Sequence, residues 1–234
     1  MQQIKLPDIT IEKIKSRKLE KIIPEFYKLK DVVENNPWHN QEPVFDHTLS
    51  VLANLEKIIQ NLKKETKQTL NKIIEKNSRK NLLKFAALLH DIGKKETIVS
   101  LDSDVRRCPN HEKVGAKKVE EMLKRFSLPR KEAKIITGIV RNHGIIHDII
   151  GLGNKGFQKD ILKERSLTHA VVGLEDKNFQ KEYQNFKKKF SKIYLELILL
   201  AFADTIGSYL QKTKPAEFHH RINFYKKELE DLRI

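Results

Sequence analysis

One cysteine in 234 residues, Cys108, leaves no partner for an internal disulfide. A small secreted scaffold stapled by disulfide bridges is excluded, and a reducing compartment is the simpler expectation. The opening stretch MQQIKLPDITIEKIKSRK contains no apolar run of about seven residues, and nowhere does the chain approach the ~18 needed to span a bilayer. We therefore expect no membrane segment, no export and a cytoplasmic location. Glycine and proline are sparse, at nine and seven, and there is no Ser/Gly-rich linker, low-complexity tract or internal repeat. The chain is expected to fold throughout. Its length suits one ordinary domain with a sizeable core, read here as residues 1–234. Nothing in the sequence sets an oligomeric state.

What the chain has in excess is positive charge: 46 Lys and Arg against 31 Asp and Glu give a formal net charge of +15. Such a surface concentrates polyanions and makes nucleotides or RNA candidate partners, with RNA binding through the basic surface one form of this. Runs such as Lys63-Lys64, Lys117-Lys118 and Lys187-Lys188-Lys189 follow helical patterns, however, and most read as solvated faces.

The dominant period is helical, with apolar residues three and four apart and few alternating runs. An all-α helical bundle is predicted, with helices over about 19–33, 45–64, 66–76, 80–92, 110–126, 130–143, 157–165, 178–188, 191–211 and 215–232. Residues 144–156, with four glycines, read as the clearest loop.

Chemistry-bearing residues sit on the apolar stripes of these helices. Leu83, Ala87, His90 and Lys94 share one stripe, so His90 points inward; Asp91 follows it, and Gly93 breaks the pattern. An imidazole and a carboxylate therefore leave the end of a buried helix together, at a cost unless they are partnered. The arrangement recurs with His47 among Val44, Val51, Leu55 and Ile58, with His143 after Ile136 and Val140, and with Asp204 after Leu197, Leu200 and Ala201. One histidine on an apolar face is usually a core residue bonded to a backbone carbonyl. Four such faces point instead to a divalent-metal site built between facing helices, and neutral imidazoles with carboxylates suit Mn, Fe, Ni, Co or Zn, with Mg a further candidate. His111, at the start of a helix after Arg107-Cys108-Pro109-Asn110, is either a ligand of a second metal or a substrate contact. Cys108 is a candidate soft ligand, although a partly buried bystander is the simpler reading. His39, His147, His169, His219 and His220 read as structural or exposed.

Taken in order, these residues resemble the HD-domain metal-dependent phosphohydrolases. The pattern runs His47, then Leu89-His90-Asp91-Ile92-Gly93-Lys94, then His111 and His143, then Ala203-Asp204. The resemblance is closest to the HD module of bacterial tRNA nucleotidyltransferases, carried by Ile23-Pro24-Glu25-Phe26, Asp46-His47-Thr48-Leu49, Phe85 through Lys94 and His111-Glu112-Lys113-Val114-Gly115-Ala116. It covers residues 22–143 well and the Asp204 helix moderately. The sequence shows no nucleotidyltransferase head domain, so tRNA end addition is not implied. Asn110 and Cys108 replace the usual glycine and aromatic, and the stretch between His143 and Asp204 is longer than expected.

The resemblance implies a helical bundle of the HD type, with a metal-site core over about 44–211 and a C-terminal helix over 215–232. It implies His47, His90, Asp91 and Asp204 as ligands, with His111 and His143 either completing a second site or contacting the phosphate directly with Arg107, hence one or two metals per chain. Asp91 would accept a proton from the attacking water, and Lys94 would offset charge on the phosphate. Arg107 is a second candidate phosphate contact. Arg141 is either a phosphate clamp or a solvated side chain. The expected reaction is hydrolysis of a nucleotide or RNA-end phosphoester, such as a phosphomonoester or cyclic phosphodiester. The alternatives are pyrophosphohydrolysis of dinucleoside polyphosphates or nucleoside triphosphates, and a non-catalytic RNA-binding module.

Overall fold

The computed structural model describes residues 5–100, 104–152 and 177–231. In chain order its helices are α1 (Ile11–Lys15), α2 (Pro24–Tyr27), α3 (Val44–Asn61), α4 (Lys64–Asn71), α5 (Arg79–Leu89) and α6 (Lys94–Thr97). These are followed by α7 (His111–Leu123), α8 (Arg130–Asn142), α9 (Ile145–Leu152), α10 (Lys177–Lys189), α11 (Tyr194–Gly207), α12 (Leu210–Thr213) and α13 (Pro215–Asp231). Proline marks several starts: Pro24 and Pro215 open α2 and α13, while Pro43 and Pro129 immediately precede α3 and α8. Its fixed φ is already helical, and the first turn does not need its missing N–H. Ser78 caps α5 by accepting the Asn81 N–H at 3.2 Å.

Every residue of α11 from Tyr194 to Thr205 is buried, which makes it the central helix of the bundle. It packs along α3, with α13 on its flank, while α5 and α7 both pack on α8. Around the bundle runs one small antiparallel sheet in the order β2-β1-β4-β3, formed by β1 (Val33–Asn36), β2 (His39–Pro43), β3 (Val99–Ser100) and β4 (Arg106–Arg107). A bulge between Glu34 and Asn35 shifts the β1–β2 register and re-aims the strand locally. Among the described residues no helix is long and apolar enough to cross a membrane.

The helical class is as expected; several boundaries are corrected. The helix expected over 19–33 is only α2 followed by a 3-10 turn, Lys28–Asp31, because Pro24 starts it late and Val33 enters β1. The helix expected over 66–76 stops at Asn71, where a loop closes with an Ile73–Ser78 bridge. The helix expected over 191–211 breaks at Ser208, whose extended backbone separates α11 from α12. Residues 145–152, expected in a loop, form α9: Ile146, Ile149 and Ile150 bury against the core, and this burial overrides the glycines that flank them. The helix expected over 157–165 lies outside the described residues.

Candidate metal centre

Three of the four histidines at the centre are oriented by the same device. His90, His111 and His143 each place Nδ1 against a carbonyl three residues earlier: Ala87 O at 2.7 Å, Cys108 O at 2.8 Å and Val140 O at 2.8 Å. A carbonyl only accepts, so each Nδ1 carries the proton and donates it, and each Nε2 is left with a lone pair directed inward. His90 and His143 do this as the first residues beyond α5 and α8, and His111 as the first residue of α7.

These lone pairs converge on Asp91. His90 Nε2 lies 3.1 Å from Asp91 Oδ2, His111 Nε2 lies 3.2 Å from Oδ1, and His143 Nε2 lies 3.8 Å from Oδ1. His111 Nε2 and His143 Nε2 are 3.2 Å apart, a spacing two lone pairs tolerate only with a proton or a cation between them. On the other side His47, from α3, puts Nε2 2.9 Å from Asp204 Oδ1 and 3.8 Å from Asp91 Oδ2. Asp204, near the end of α11, holds its second oxygen 3.1 Å from His147 Nε2.

The electrostatics fit a group of charges brought together under burial. Burial alone would keep His47 neutral, but the Asp204 and Glu42 carboxylates raise it to about 10. Burial likewise opposes ionisation of Asp91 and Asp204, yet His90 and Lys94 beside the former, and His147 and His47 beside the latter, hold both well below the usual carboxylate range. His143 is pushed down by burial and by the neighbouring imidazoles. Asp91 raises His111 despite its burial.

The residues present fit a divalent cation. His90 Nε2 is buried without a hydrogen-bond partner, and Asp91 Oδ2 has only ion-pair contacts; a native fold rarely leaves such a buried nitrogen unsatisfied. The ligand atoms of His47, His90 and Asp204 lie within 4.8 Å of one another, as do those of His90, Asp91 and His143. The two triads share His90.

Lys94, the first residue of α6, is buried, with Nζ 2.5 Å from Glu34 Oε2, 3.0 Å from Asp91 Oδ2 and 3.3 Å from His39 Nε2. Burial works against its charge, but Asp91 and Glu34 raise its pKa. Gly93, just before it, packs against α7: a Cβ there would stand 2.2 Å from His111 O and 2.5 Å from Gly115 N. Only glycine lets the two backbones meet so closely.

The centre opens into a pocket of about 250 Å³ and then into a cleft of about 800 Å³, with Trp38, His39, Lys94, His111, Asp148 and Arg221 common to both walls. Arg107 is exposed on the cleft wall. Arg141 lies apart: it is exposed, its Nη2 is 3.1 Å from Glu120 Oε1, and it lines neither cavity. Cys108 is buried, its thiol pushed up by burial. It lines the cleft and gives its carbonyl to His111.

Sequence reasoning missed His147 and the residues that the β1–β2 hairpin brings to the site. His39, expected to be structural or exposed, is buried beside Lys94, and His147 reaches Asp204 while Tyr225 Oη sits 3.2 Å from its Nδ1. For His147 a signal existed: it lies four residues after His143 in an apolar run, hence one helical turn on. His39 sits in a short polar strand with no such signal, as do Glu34 and Glu42. Glu42 is 3.7 Å from His47 Nδ1, and its carboxyl falls to about 2 because His39 and His47 outweigh burial. His219 is exposed and His220 half-buried; His169 lies outside the described residues.

The model of the family described as HD domain matches residues 44–207. The bifunctional uridylyltransferase/uridylyl-removing enzyme of Azotobacter vinelandii is 30% identical over 125 residues, which is 53% of this chain and 13% of that protein. The enzyme of the same name from Cereibacter sphaeroides is 27% identical over 127 residues, 54% of this chain and 12% of that one. The matched region thus spans about an eighth of the length of these relatives.

Proposed function

Because this chain belongs to the HD domain family, whose members are metal-dependent phosphohydrolases, we propose that it hydrolyses a phosphoester of a nucleotide or of an RNA end. The observation that carries this reading is the convergence of the unpartnered His90 Nε2 with His47, Asp91, His143 and Asp204 beside an open pocket that Asp91, His143 and Asp204 line. His47, His90, Asp91 and Asp204 would hold one divalent cation, and Asp91 with His111 and His143 would hold a second; the chemistry supplied there would be acidification of a water and polarisation of the phosphate.

The chain's own part follows from placement. Asp91 accepts the proton of the attacking water, and the Lys94 ammonium, 3.0 Å from Asp91, offsets negative charge as it accumulates. Glu34 holds that ammonium in place. Arg107, exposed on the cleft wall, reaches a phosphate away from the reacting centre. Removing a uridylyl group, as the matched relatives are named for, is cleavage of a nucleotidyl phosphoester, and this supports a substrate of that class. Pyrophosphohydrolysis of dinucleoside polyphosphates or nucleoside triphosphates is the enzymatic alternative; product analysis separates the two.

A second reading, RNA binding through the basic surface, is favoured by a groove of about 1090 Å³ remote from the centre, walled by Arg130, Lys131, Lys134, Lys189 and Lys192. None of these five has a carboxylate within 4.0 Å among the described residues.

The test is elemental analysis of the wild type and Asp91→Ala, paired with a phosphomonoester and phosphodiester panel under Mn, Ni, Co and Mg. One or two equivalents of metal, lost together with turnover in the variant, support the hydrolase. Protein that binds no metal and stays inert under every cation, while binding RNA in a salt-dependent way, overturns it in favour of RNA binding.

A further inference from the structure

The cleft beside the metal pocket is larger than a phosphate group requires. At about 800 Å³ it falls in the range of sites that enclose a whole small ligand. On the wall it shares with the metal pocket stands Trp38, the only tryptophan of the chain. Trp38 is also the only Trp, Tyr or Phe lining either cavity among the described residues.

The indole is held rather than loosely exposed. Trp38 stands at the tip of the β1–β2 hairpin, where its backbone N–H donates to Asn36 Oδ1 at 2.9 Å and its backbone carbonyl accepts the Tyr209 N–H at 2.8 Å. Both bonds are made by the backbone, so the hairpin tip is fixed whatever side chain it carries. The His147 ring meets the indole edge-on at 5.0 Å between centroids, and the Arg221 guanidinium lies 5.0 Å from its centroid. Arg221 is itself buried and anchored, donating to His147 O at 3.0 Å and to Glu217 Oε1 at 2.7 Å. One imidazole, His147, therefore separates the indole from Asp204. Trp38 is partly buried against the core, with Arg221 over its ring, and a planar ligand in the cleft would cover the indole surface that remains.

We infer that Trp38 is the base-stacking platform of this site: a nucleobase lies on the indole in the cleft while its phosphoester reaches the metal centre past His147. The exposed Arg107 and Lys214 on the same walls face the polar remainder of the ligand. The site then selects phosphoesters that carry a base, because stacking on an aromatic side chain contributes about 1–3 kcal/mol and tolerates any base. This inference rests on the hydrolase reading for the position of the phosphate, but not for the stacking itself.

Because the chain has one tryptophan, its emission reports the site directly. The full-length protein is titrated with UMP, AMP, ribose 5-phosphate and inorganic phosphate while Trp38 fluorescence is followed. Saturable quenching by both nucleotides, and none by the two base-free ligands at equal concentration, is expected. In turnover, Trp38→Ala should lower the ratio of kcat/KM for a nucleotidyl ester to that for a base-free ribose phosphoester by about 5- to 150-fold, and Trp38→Phe should preserve most of it. Equal loss on both substrates, or quenching by ribose 5-phosphate as strong as by UMP, would overturn the assignment. Turnover without base-dependent quenching sinks the platform and leaves the hydrolase standing. Base-dependent quenching in a protein that hydrolyses nothing does the reverse.

Discussion

Two buried carboxylates in this chain face opposite fates. Glu132, at the start of α8, is fully buried, and its Oε1 accepts the backbone N–H groups of Glu75, Lys76 and Asn77 at 3.1, 2.6 and 2.7 Å. Its Oε2 accepts the Asn77 side-chain amide at 2.7 Å. Asp91 is equally buried, yet its Oδ2 meets only the Lys94 ammonium, at 3.0 Å, and faces the His90 imidazole nitrogen, which has no hydrogen-bond partner. The fold meets the cost of burying Glu132 from within, using a loop that would otherwise have nothing to accept its amides. The cost of burying Asp91 is left open toward a pocket, for something from outside to complete. Between these two carboxylates it is the unpartnered imidazole facing Asp91, rather than burial, that separates a site from a structural pin.

The largest expected effect lies on the Asp91 side. Asp91→Ala should abolish bound metal by elemental analysis and phosphoesterase turnover with it. It should lower the melting temperature of metal-free protein less than any change at Glu132; a larger drop would break the contrast. Next, Glu132→Ala strands three amides and should cost about 3 kcal/mol, some 6–12 °C in Tm, with kcat/KM retained in the folded fraction. Burial opposes ionisation of Glu132, but the Asn77 side chain and the amides of residues 75–77 prevail and hold its pKa below the ordinary range. A depressed folded value means that this stability is complete above the unfolded pKa of about 4.3 and is lost as pH falls through the folded pKa. Thermal melts of wild type and Glu132→Gln should therefore begin to converge as pH falls below about 4.3 and meet only below the depressed folded pKa.

Smaller still is Glu42→Gln, which loosens the carboxylate behind His47 Nδ1. It should weaken metal affinity about 10- to 100-fold by competition with a chelator, while Tm of the metal-free protein changes little. Smallest is Arg141→Ala, which removes an exposed pair with Glu120. Stability should stay within about 0.5 kcal/mol and kcat/KM should be unchanged. A loss of activity there would place phosphate recognition outside the two cavities.

Sequence alone made the helical parts of this site legible because helices advertise their inward face. His47, His90, His143 and Asp204 each interrupt an apolar stripe, and the structure brings all four together beside Asp91. The sheet was illegible for a matching reason: β1 and β2 are short, half-exposed and rich in Asn and Glu, so no alternation marks a buried face. Glu34, Trp38, His39 and Glu42 all arrive on that hairpin, and so all were missed. His147 was missed because flanking glycines suggested a loop where tertiary burial of isoleucines imposed α9. Arg107 and Arg141 have the same chemistry in the sequence, and only the packing puts one on the cleft and the other on the outer surface.

The contact of Gly93 with the start of α7 carries a consequence of another kind. It is backbone against backbone, with no room for a single added carbon. The spacing between the His-Asp pair and His111 is therefore measured by peptide units, which do not change rotamer, rather than by side chains, which do. A ruler made this way keeps its length as the surrounding core softens. Substitutions deep in α11 that lower the melting point should leave the choice among metals of different radius untouched, whereas one methyl group at position 93 would change it.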